Sequence, residues 1–472
     1  MLESLATKRG KPTVKLEIMA ELLREYFQQC EHHWVFTCDD NDVILPYFVS
    51  TIRYHPRDDR REAPAYVEFE AQAYCRGEIV SIQRHWQRSA LGGPLGLTVE
   101  ALLENEGFVR ETPELVDSWT QDAEKYHSVR DKLGHMFVAT GGGVSFGDDF
   151  DQQERRSRYN REDNVKFDGS GGNRVVMNDT FKEGKHTAVT CSLWSKDASD
   201  VEQSVKLPLH PFVVVFDLTL HEFVRVHVKQ ITAYRYDKTA EGKLVLSDDR
   251  KELIDMLVRA SQERSEDIVK GKSGGVIMLL SGPPGVGKTL SAEVYSEFVK
   301  RPLYTVQCSQ LGITANKLEE ELQIVLNRAM QWKAVLLIDE ADVYIRSRGD
   351  DINQNAIVGV LLRVLEHYSG VLFMTTNRAT VVDDAIMSRM IAHIKYELPD
   401  EDESVKLWKV LSTQYGVELS ESEIAAAVAY FKQTSGRSIK NMLRLSKVLA
   451  AARKTEVNLS ILKHVAKFQE AM

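Results

Sequence analysis

Apolar residues recur along the chain in two rhythms, and the change from one to the other near residue 245 divides it. In the first stretch an amphipathic helix is expected around Leu16–Phe27, and several period-2 segments follow it. Val67, Phe69, Ala71 and Ala73 alternate with Glu68, Glu70 and Gln72, the pattern of a strand with one wet face. Val224, Val226 and Val228 alternate in the same way with Arg225, His227 and Lys229, and the run Phe212–Phe216 is placed to pair with them through a turn near Leu220. Thr112 and Pro113 offer an N-cap and a first-turn proline for a helix that runs to about Lys132 and stops at Gly134. Residues 1–245 therefore read as a β-rich α+β domain. Within it, residues 141–173 turn to Gly, Asp, Arg and Gln with few apolar anchors, which predicts a long, flexible, exposed loop. Gly141-Gly142-Gly143 has no lysine and no apolar helical pattern behind it, so it reads as linker and not as a phosphate site. Arg155, Arg156, Arg158 and Arg161, interleaved with Glu154, Glu162 and Asp163, read as a solvated charged face or a partner-binding loop.

From Ser247-Asp248-Asp249, a candidate helix start, Leu253, Met256, Leu257 and Ala260 recur at helical spacing. Apolar runs then alternate with helical patterns: Val276–Leu280, Leu303–Val306, Val335–Ile338, Val371–Thr375 and Ala392–Leu398. Strands separated by helices join in parallel, so residues 246–398 read as an α/β domain built on a parallel sheet. Residues 399–472 are helical throughout, with Leu407, Trp408, Val410 and Leu411 first, then Ile424–Phe431, Ile439–Ala452 and Leu459–Phe468.

Chemistry enters behind the first of those strands. Gly282-Pro283-Pro284-Gly285-Val286-Gly287-Lys288-Thr289, followed by Leu290, lies between a strand and a helix, the context that a phosphate-binding P-loop requires. Its glycines let successive N–H groups face phosphates, Lys288 adds a cation near the β/γ-phosphates, and the Thr289 hydroxyl suits Mg2+. The run Ala334–Ile338 ends in Asp339 and Glu340, followed by Ala341 and Asp342, at the strand edge where α/β sheets place their ligands. Asp339 is thereby positioned to hold Mg2+ and Glu340 to polarise the water that attacks a γ-phosphate. The ligand pair implied is ATP and Mg2+.

Composition narrows the rest. A chain of 472 residues exceeds one hydrophobic core, and a net charge of −9 argues against a protein built mainly to coat nucleic acid. No apolar stretch reaches the ~18 residues of a membrane span, and Met1-Leu2-Glu3-Ser4 does not open a secretion signal, so a cytoplasmic location is expected. Cys30, Cys38, Cys75, Cys191 and Cys308 are odd in number and scattered, which suits reduced thiols. Cys30 and Cys38 flank His32 and His33, but stand farther apart than the pair in a zinc knuckle.

From about Asp248 to Met472 the chain resembles the AAA branch of the AAA+ ATPases. Beyond the two motifs already described, Met374-Thr375-Thr376-Asn377 ends a strand with an amide where AAA proteins carry the sensor-1 residue, which implies that Asn377 helps place the attacking water. Asp383-Asp384-Ala385-Ile386-Met387-Ser388-Arg389 is similar to the segment that supplies an arginine finger to the neighbouring subunit, implying that role for Arg389. The second arginine of many relatives is absent. Ser435-Gly436-Arg437-Ser438-Ile439-Lys440-Asn441 looks like the start of a sensor-2 helix. An arginine there faces the positive end of the helix dipole, so Arg437 reads as a phosphate contact or as a solvated side chain. Arg346 and Arg348 fall where relatives present charge to a subunit boundary, or serve as exposed solubilising charge.

Arg301-Pro302-Leu303-Tyr304, Leu365-Glu366-His367-Tyr368 and Ser388-Arg389-Met390 are most similar to a poorly characterised fungal and bacterial group with a large N-terminal domain and a single AAA module. The segment Ser309-Gln310-Leu311-Gly312-Ile313-Thr314 departs from threading relatives, which place an aromatic residue there. The resemblance implies a ring of like subunits, a hexamer, that hydrolyses ATP and remodels a protein partner recruited by the N-terminal domain. Two other readings stand beside it, a nucleic-acid-associated motor or defence ATPase and an ATP-gated assembly switch.

Overall fold

The computed structural model describes residues 12–39, 41–60, 63–76, 78–92, 95–145, 163–167, 171–179, 188–191, 203–260, 275–312, 314–348, 351–378 and 382–468. The chain forms two compact units, Met1–Leu133 with Phe137–Ala233, and Gly134–Met136 with Tyr234–Met472. In the first, α1 (Leu16–Gln28) lays Met19, Leu23 and Phe27 into a core shared with an antiparallel sheet. That sheet consists of β1 (Trp34–Cys38), β2 (Ile44–His55), β3 (Tyr66–Cys75), β4 (Glu78–Gln87) and β5 (Phe108–Arg110), in the order β4-β3-β2-β1-β5. The alternation read on β3 decides which face is dry: Val67, Phe69, Ala71 and Ala73 are buried, and Glu68, Glu70 and Gln72 are not. Two helices follow, α2 (Val99–Asn105) and α3 (Pro113–Val129), capped by the hydroxyls of Thr98 and Thr112.

The second sheet of this unit begins with β6 (Met136–Ala139), β7 (Gly142–Ser145), β8 (Asp163–Lys166) and β9 (Asn173–Met177). Beyond a separate pair, β10 (Ala188–Cys191) with β11 (Gln203–Lys206), it is completed by β12 (Phe212–Asp217), β13 (Glu222–His227) and β14 (Ile231–Ala233). The seven strands lie in the order β14-β6-β9-β12-β13-β7-β8. As the alternation implied, β12 and β13 form a hairpin, with Asp217 accepting from the amides of Thr219 and Leu220 in the turn.

The glycine-rich stretch from 141 to 173 is not loop throughout. β7 and β8 pair antiparallel inside it, from Gly142 opposite Lys166 to Ser145 opposite Asp163. Gly142 and Gly143 are there for packing: a Cβ on the first would lie 2.4 Å from Asn41 Oδ1, and on the second 2.7 Å from Val224 Cγ1. Arg155, Arg156, Arg158 and Arg161, with Glu154 and Glu162, lie outside the described residues.

In the second unit, the stretch from Tyr234 passes through a 3-10 turn at Ala240–Lys243 into α4 (Asp248–Ala260). Here the apolar stripe differs from the spacing read in the sequence. Ile254 is fully buried and Leu257 packs against the core, whereas Leu253 and Met256 are exposed. The rotation places Arg250 at the wall of a cavity and lets the Lys251 carbonyl accept from Tyr295 Oη. Strands and helices then alternate through β15 (Val276–Ser281), α5 (Lys288–Phe298), β16 (Leu303–Gln307), α6 (Cys308–Leu311), α7 (Ala315–Gln331) and β17 (Val335–Asp339). The series continues with α8 (Asp342–Ile345), α9 (Ile352–Glu366), β18 (Val371–Thr376), α10 (Asp384–Met387) and β19 (Ala392–Lys395).

All five strands are parallel, in the order β16-β17-β18-β15-β19. Their near-continuous apolar runs are those of a sheet covered on both faces. Strand order reverses at β15, so the crevice at the C-terminal end of that strand is where a ligand is expected. β19 is shorter than the run Ala392–Leu398: its pairing with β15 ends as the Tyr396 N–H donates to the Ser281 carbonyl at 2.7 Å, and the cavity is lined from there by Tyr396, Glu397 and Pro399. Four helices complete the unit: α11 (Glu401–Tyr415), α12 (Glu421–Tyr430), α13 (Gly436–Arg453) and α14 (Leu459–Ala466), around Trp408, Ile424, Leu443 and Leu462. Each starts at a side-chain cap, Asp400, Ser420, Ser435 and Asn458.

Candidate active site

The loop between β15 and α5 is shaped by positions that only glycine fills without strain. Gly282, Gly285 and Gly287 have φ of 146°, 79° and 100°. A Cβ at Gly282 would meet the Tyr396 carbonyl at 2.2 Å, and one at Gly285 would meet Arg437 Cβ at 2.6 Å. The loop is therefore clamped between Tyr396, just past β19, and the start of α13, whose Arg437 amide donates to the Gly285 carbonyl at 3.2 Å. Gly287 caps α5, and Lys288 is its first residue.

Lys288 is 7% exposed, and its Nζ donates to the Gly282 carbonyl (2.8 Å), the Pro283 carbonyl (2.7 Å) and Asn377 Oδ1 (2.8 Å). Burial pulls its ammonium below the ordinary lysine range, an effect that nearby Asp339 and Asp342 oppose and Arg437 reinforces. A buried cation with only neutral hydrogen-bond acceptors, at a helix N-terminus, is built to receive an anion.

Across from it β17 delivers the acids. Asp339 accepts from Thr289 Oγ1 at 3.1 Å and from Thr375 Oγ1. Glu340 is exposed and adopts φ of 56°, a conformation that costs a non-glycine residue on the order of 1–3 kcal/mol. Several bonds hold it there: its N–H donates to Thr375 Oγ1 (2.9 Å), the Ala341 N–H to the Thr375 carbonyl (2.8 Å), and Cys308 Sγ to the Glu340 carbonyl (3.0 Å). Burial together with Asp342, Glu340 and Asp339 pushes the Cys308 thiol up to about 12, so it stays a neutral donor. Asp342 in turn accepts from Thr376 Oγ1 and from the Asn377 N–H, fixing the end of β18.

A cavity of about 430 Å³ opens over these groups. Pro284, Gly285, Val286, Gly287, Lys288, Thr289, Leu290, Asp339, Glu340, Asn377 and Arg437 all line it. Gly282 and Pro283 stand behind, supplying the carbonyls that hold Lys288. Arg389 does not line the cavity. It donates to the Ala385 carbonyl at 3.2 Å and pairs with Glu366 at 3.8 Å. Arg348 is tied to Asp383 rather than left as free surface charge, while Arg346 bridges Val382 through its backbone.

Sequence reasoning missed one wall of this cavity. Lys243, Leu244, Val245 and Leu246 line it from a segment with no period of its own, and Gln414 and Tyr415 close it from α11. Leu407 and Leu411, read only as helix core, also face it. Tyr396 Oη donates to Ser291 Oγ (2.7 Å), which donates to the Gly287 carbonyl (3.0 Å), and so braces the loop from just past the end of β19. The adjacent hydroxyl of Thr289 and carboxylate of Asp339 are hard oxygen donors of the kind that fit Mg2+.

Residues 278–398 match the model of the ATPase family associated with various cellular activities (AAA). The chain is 25% identical over 298 residues to an ATP-dependent zinc metalloprotease FtsH of Ureaplasma parvum, covering 55% of this chain and 40% of that protein. It is 27% identical over 192 residues to FtsH of Hahella chejuensis, covering 37% and 30%. The chain thus spans less than half the length of these relatives. Among solved structures, a chain of the E. coli MS115-1 HORMA:CdnC:Trip13 complex is 18% identical with a TM-score of 0.41, covering 50% of this chain and 92% of that one. The second unit carries an AAA ATPase domain on a parallel α/β core, preceded by antiparallel sheets.

Proposed function

We propose that this protein hydrolyses ATP as a ring of identical subunits, a hexamer, and uses the cycle to remodel a protein partner recruited by residues 1–245. Residues 246–398 act as the ATPase core and 399–472 as its helical lid. The observation that carries this reading is the convergence of Lys288, Thr289, Asp339, Glu340 and Asn377 on one cavity, with Arg389 standing apart from it.

In this reading the P-loop amides and Lys288 bind the phosphates, Lys288 exchanging its carbonyl partners for phosphate oxygens. Thr289 and Asp339 would hold Mg2+, which when bound neutralises phosphate charge. Glu340, fixed by its backbone bonds to Thr375, takes the proton of the attacking water, and Asn377 orients that water. Arg437 meets the phosphates from the lid. Arg389 completes the site of the adjoining subunit, where a cation at the transferring phosphoryl group stabilises the transition state. We place the activity in the cytoplasm, where free thiols such as Cys30, Cys38, Cys75 and Cys308 persist.

Glu340→Gln tests the assignment. It should bind ATP as the wild type does and hydrolyse it at least ~100-fold more slowly, the loss expected for a general base. Incubated with ATP in a lysate, it should also retain a protein that the wild type releases. Near-normal turnover would remove Glu340 from the mechanism, and recovery of nucleic acid alone would contradict the remodelling of a protein.

A further inference from the structure

Arg389 follows a helix too short to hold its own shape. α10 has four residues, and its few backbone bonds, from the Ile386 and Met387 amides to the Asp383 carbonyl and from the Ser388 amide to that of Asp384, make one turn, too little for a helix to be stable alone. Its orientation must come from outside, and the structure shows from where. Asp383, the N-cap, is buried and accepts from the Ala385 N–H at 3.0 Å. The Ala385 carbonyl accepts from Arg389 Nη1 at 3.2 Å, so cap and arginine grip the same residue from opposite sides.

Asp383 is itself held by the strap that follows the acids of β17. Arg348 Nε donates to Asp383 Oδ2 at 2.9 Å, and Nη2 reaches Oδ1 at 3.4 Å. The Arg348 N–H donates to Oδ2 at 3.3 Å, and the Asp383 N–H donates to the Ile345 carbonyl at 2.9 Å. Burial alone would raise the Asp383 carboxyl, but the guanidinium and amide of Arg348, with the Ala385 amide, hold it below the usual carboxylate range. At its other end the same strap is anchored by Asp342 to the end of β18, beside Asn377.

We propose that the Arg348–Asp383 pair is a positioning device for Arg389: it fixes the one-turn helix that aims this arginine at the neighbouring subunit's nucleotide. The inference rests on the trans role given to Arg389 in the proposed function. Arg348 does not line the nucleotide cavity of its own chain and bonds to Asp383 instead, so its loss acts through another residue and shows in the partner's site.

The test is turnover in mixed assemblies of the full chain. Arg348→Ala should lower kcat ~10- to 100-fold, less than the ~1,000-fold or more for Arg389→Ala, with KM for ATP changed by less than ~2-fold. Asp383→Asn, which keeps a capping side chain and removes the charge, should match it, and Arg348→Lys should recover part of the loss. Each variant is then mixed with excess Glu340→Gln, whose own site is dead but whose Arg389 is intact. If Arg348 positions Arg389, turnover per Arg348→Ala subunit rises severalfold on mixing, as it does for Arg389→Ala. If mixing restores Arg389→Ala but leaves Arg348→Ala unchanged, the pair serves its own site and the proposal falls while the ring reading stands. If Arg389→Ala alone turns over at the wild-type rate, the trans reading itself fails.

Discussion

Glu340 shows how much of a single residue's setting a sequence leaves unsaid. Its place after an apolar run is visible in the sequence; its left-handed backbone, held against Thr375, is not, because that depends on a strand brought alongside by the fold. His210 and His227 make the same point in the first unit. His227 closes a strand that the sequence reads as alternating with valines, yet both imidazoles are buried and near each other, His210 donating Nε2–H to the Pro46 carbonyl at 2.9 Å. Burial lowers His210 from 6.5 to about 4 and His227 to about 3. Both are neutral in the fold but take up protons below pH 6.5 once unfolded, so their contribution to stability is intact above pH 7 and declines as the pH falls through 6.5 towards 4. At pH 5 the loss is about 2 kcal/mol per histidine. Denaturant midpoints of the first unit, followed by tryptophan fluorescence from pH 7.5 to 5, should show this slope, and His210→Gln should flatten it. An unchanged slope in the variant would assign the acid sensitivity to other groups.

Among the elements, the most legible is the strand, glycine loop and helix of β15 and α5, since its backbone demands glycine at fixed places and its chemistry demands lysine and threonine. What the sequence hides is what presses on the loop. Gly285 has φ of 79° and lies under Arg437, more than a hundred residues later in the chain. Gly285→Ala is therefore strained twice, by its backbone and by a Cβ 2.6 Å from Arg437 Cβ. It should weaken ATP binding by at least ~10-fold while shifting the thermal midpoint by only a few degrees, the scale of about 1 kcal/mol of local strain. Calorimetric titration with ATP checks this; full affinity would show that the lid and loop do not need their close approach. The segment Lys243–Leu246 was illegible for a different reason: it packs by reaching a cavity rather than by repeating a period, and periodicity is all that a single sequence offers there. The glycines at 142 and 143 misled in the opposite sense, because a glycine demanded by strand packing looks like one demanded by a turn.

For the whole molecule, the parallel core and the helices after it follow from the alternation of runs, while the seven-stranded order of the second sheet does not, since antiparallel strands far apart in sequence carry no mark of which neighbour they choose. The largest claim at this scale concerns assembly. Within one chain the cavity gathers every proposed catalytic group but Arg389, which stays just past the end of α10, paired with Glu366. ATP cleavage is therefore proposed to need two subunits per site. The measurement that bears on this most directly is turnover per subunit at saturating ATP across a dilution series of the 472-residue chain. The account predicts a rate that is constant while rings persist and collapses as they dissociate. A rate that stays at its full value down to concentrations where the protein is monomeric would contradict it.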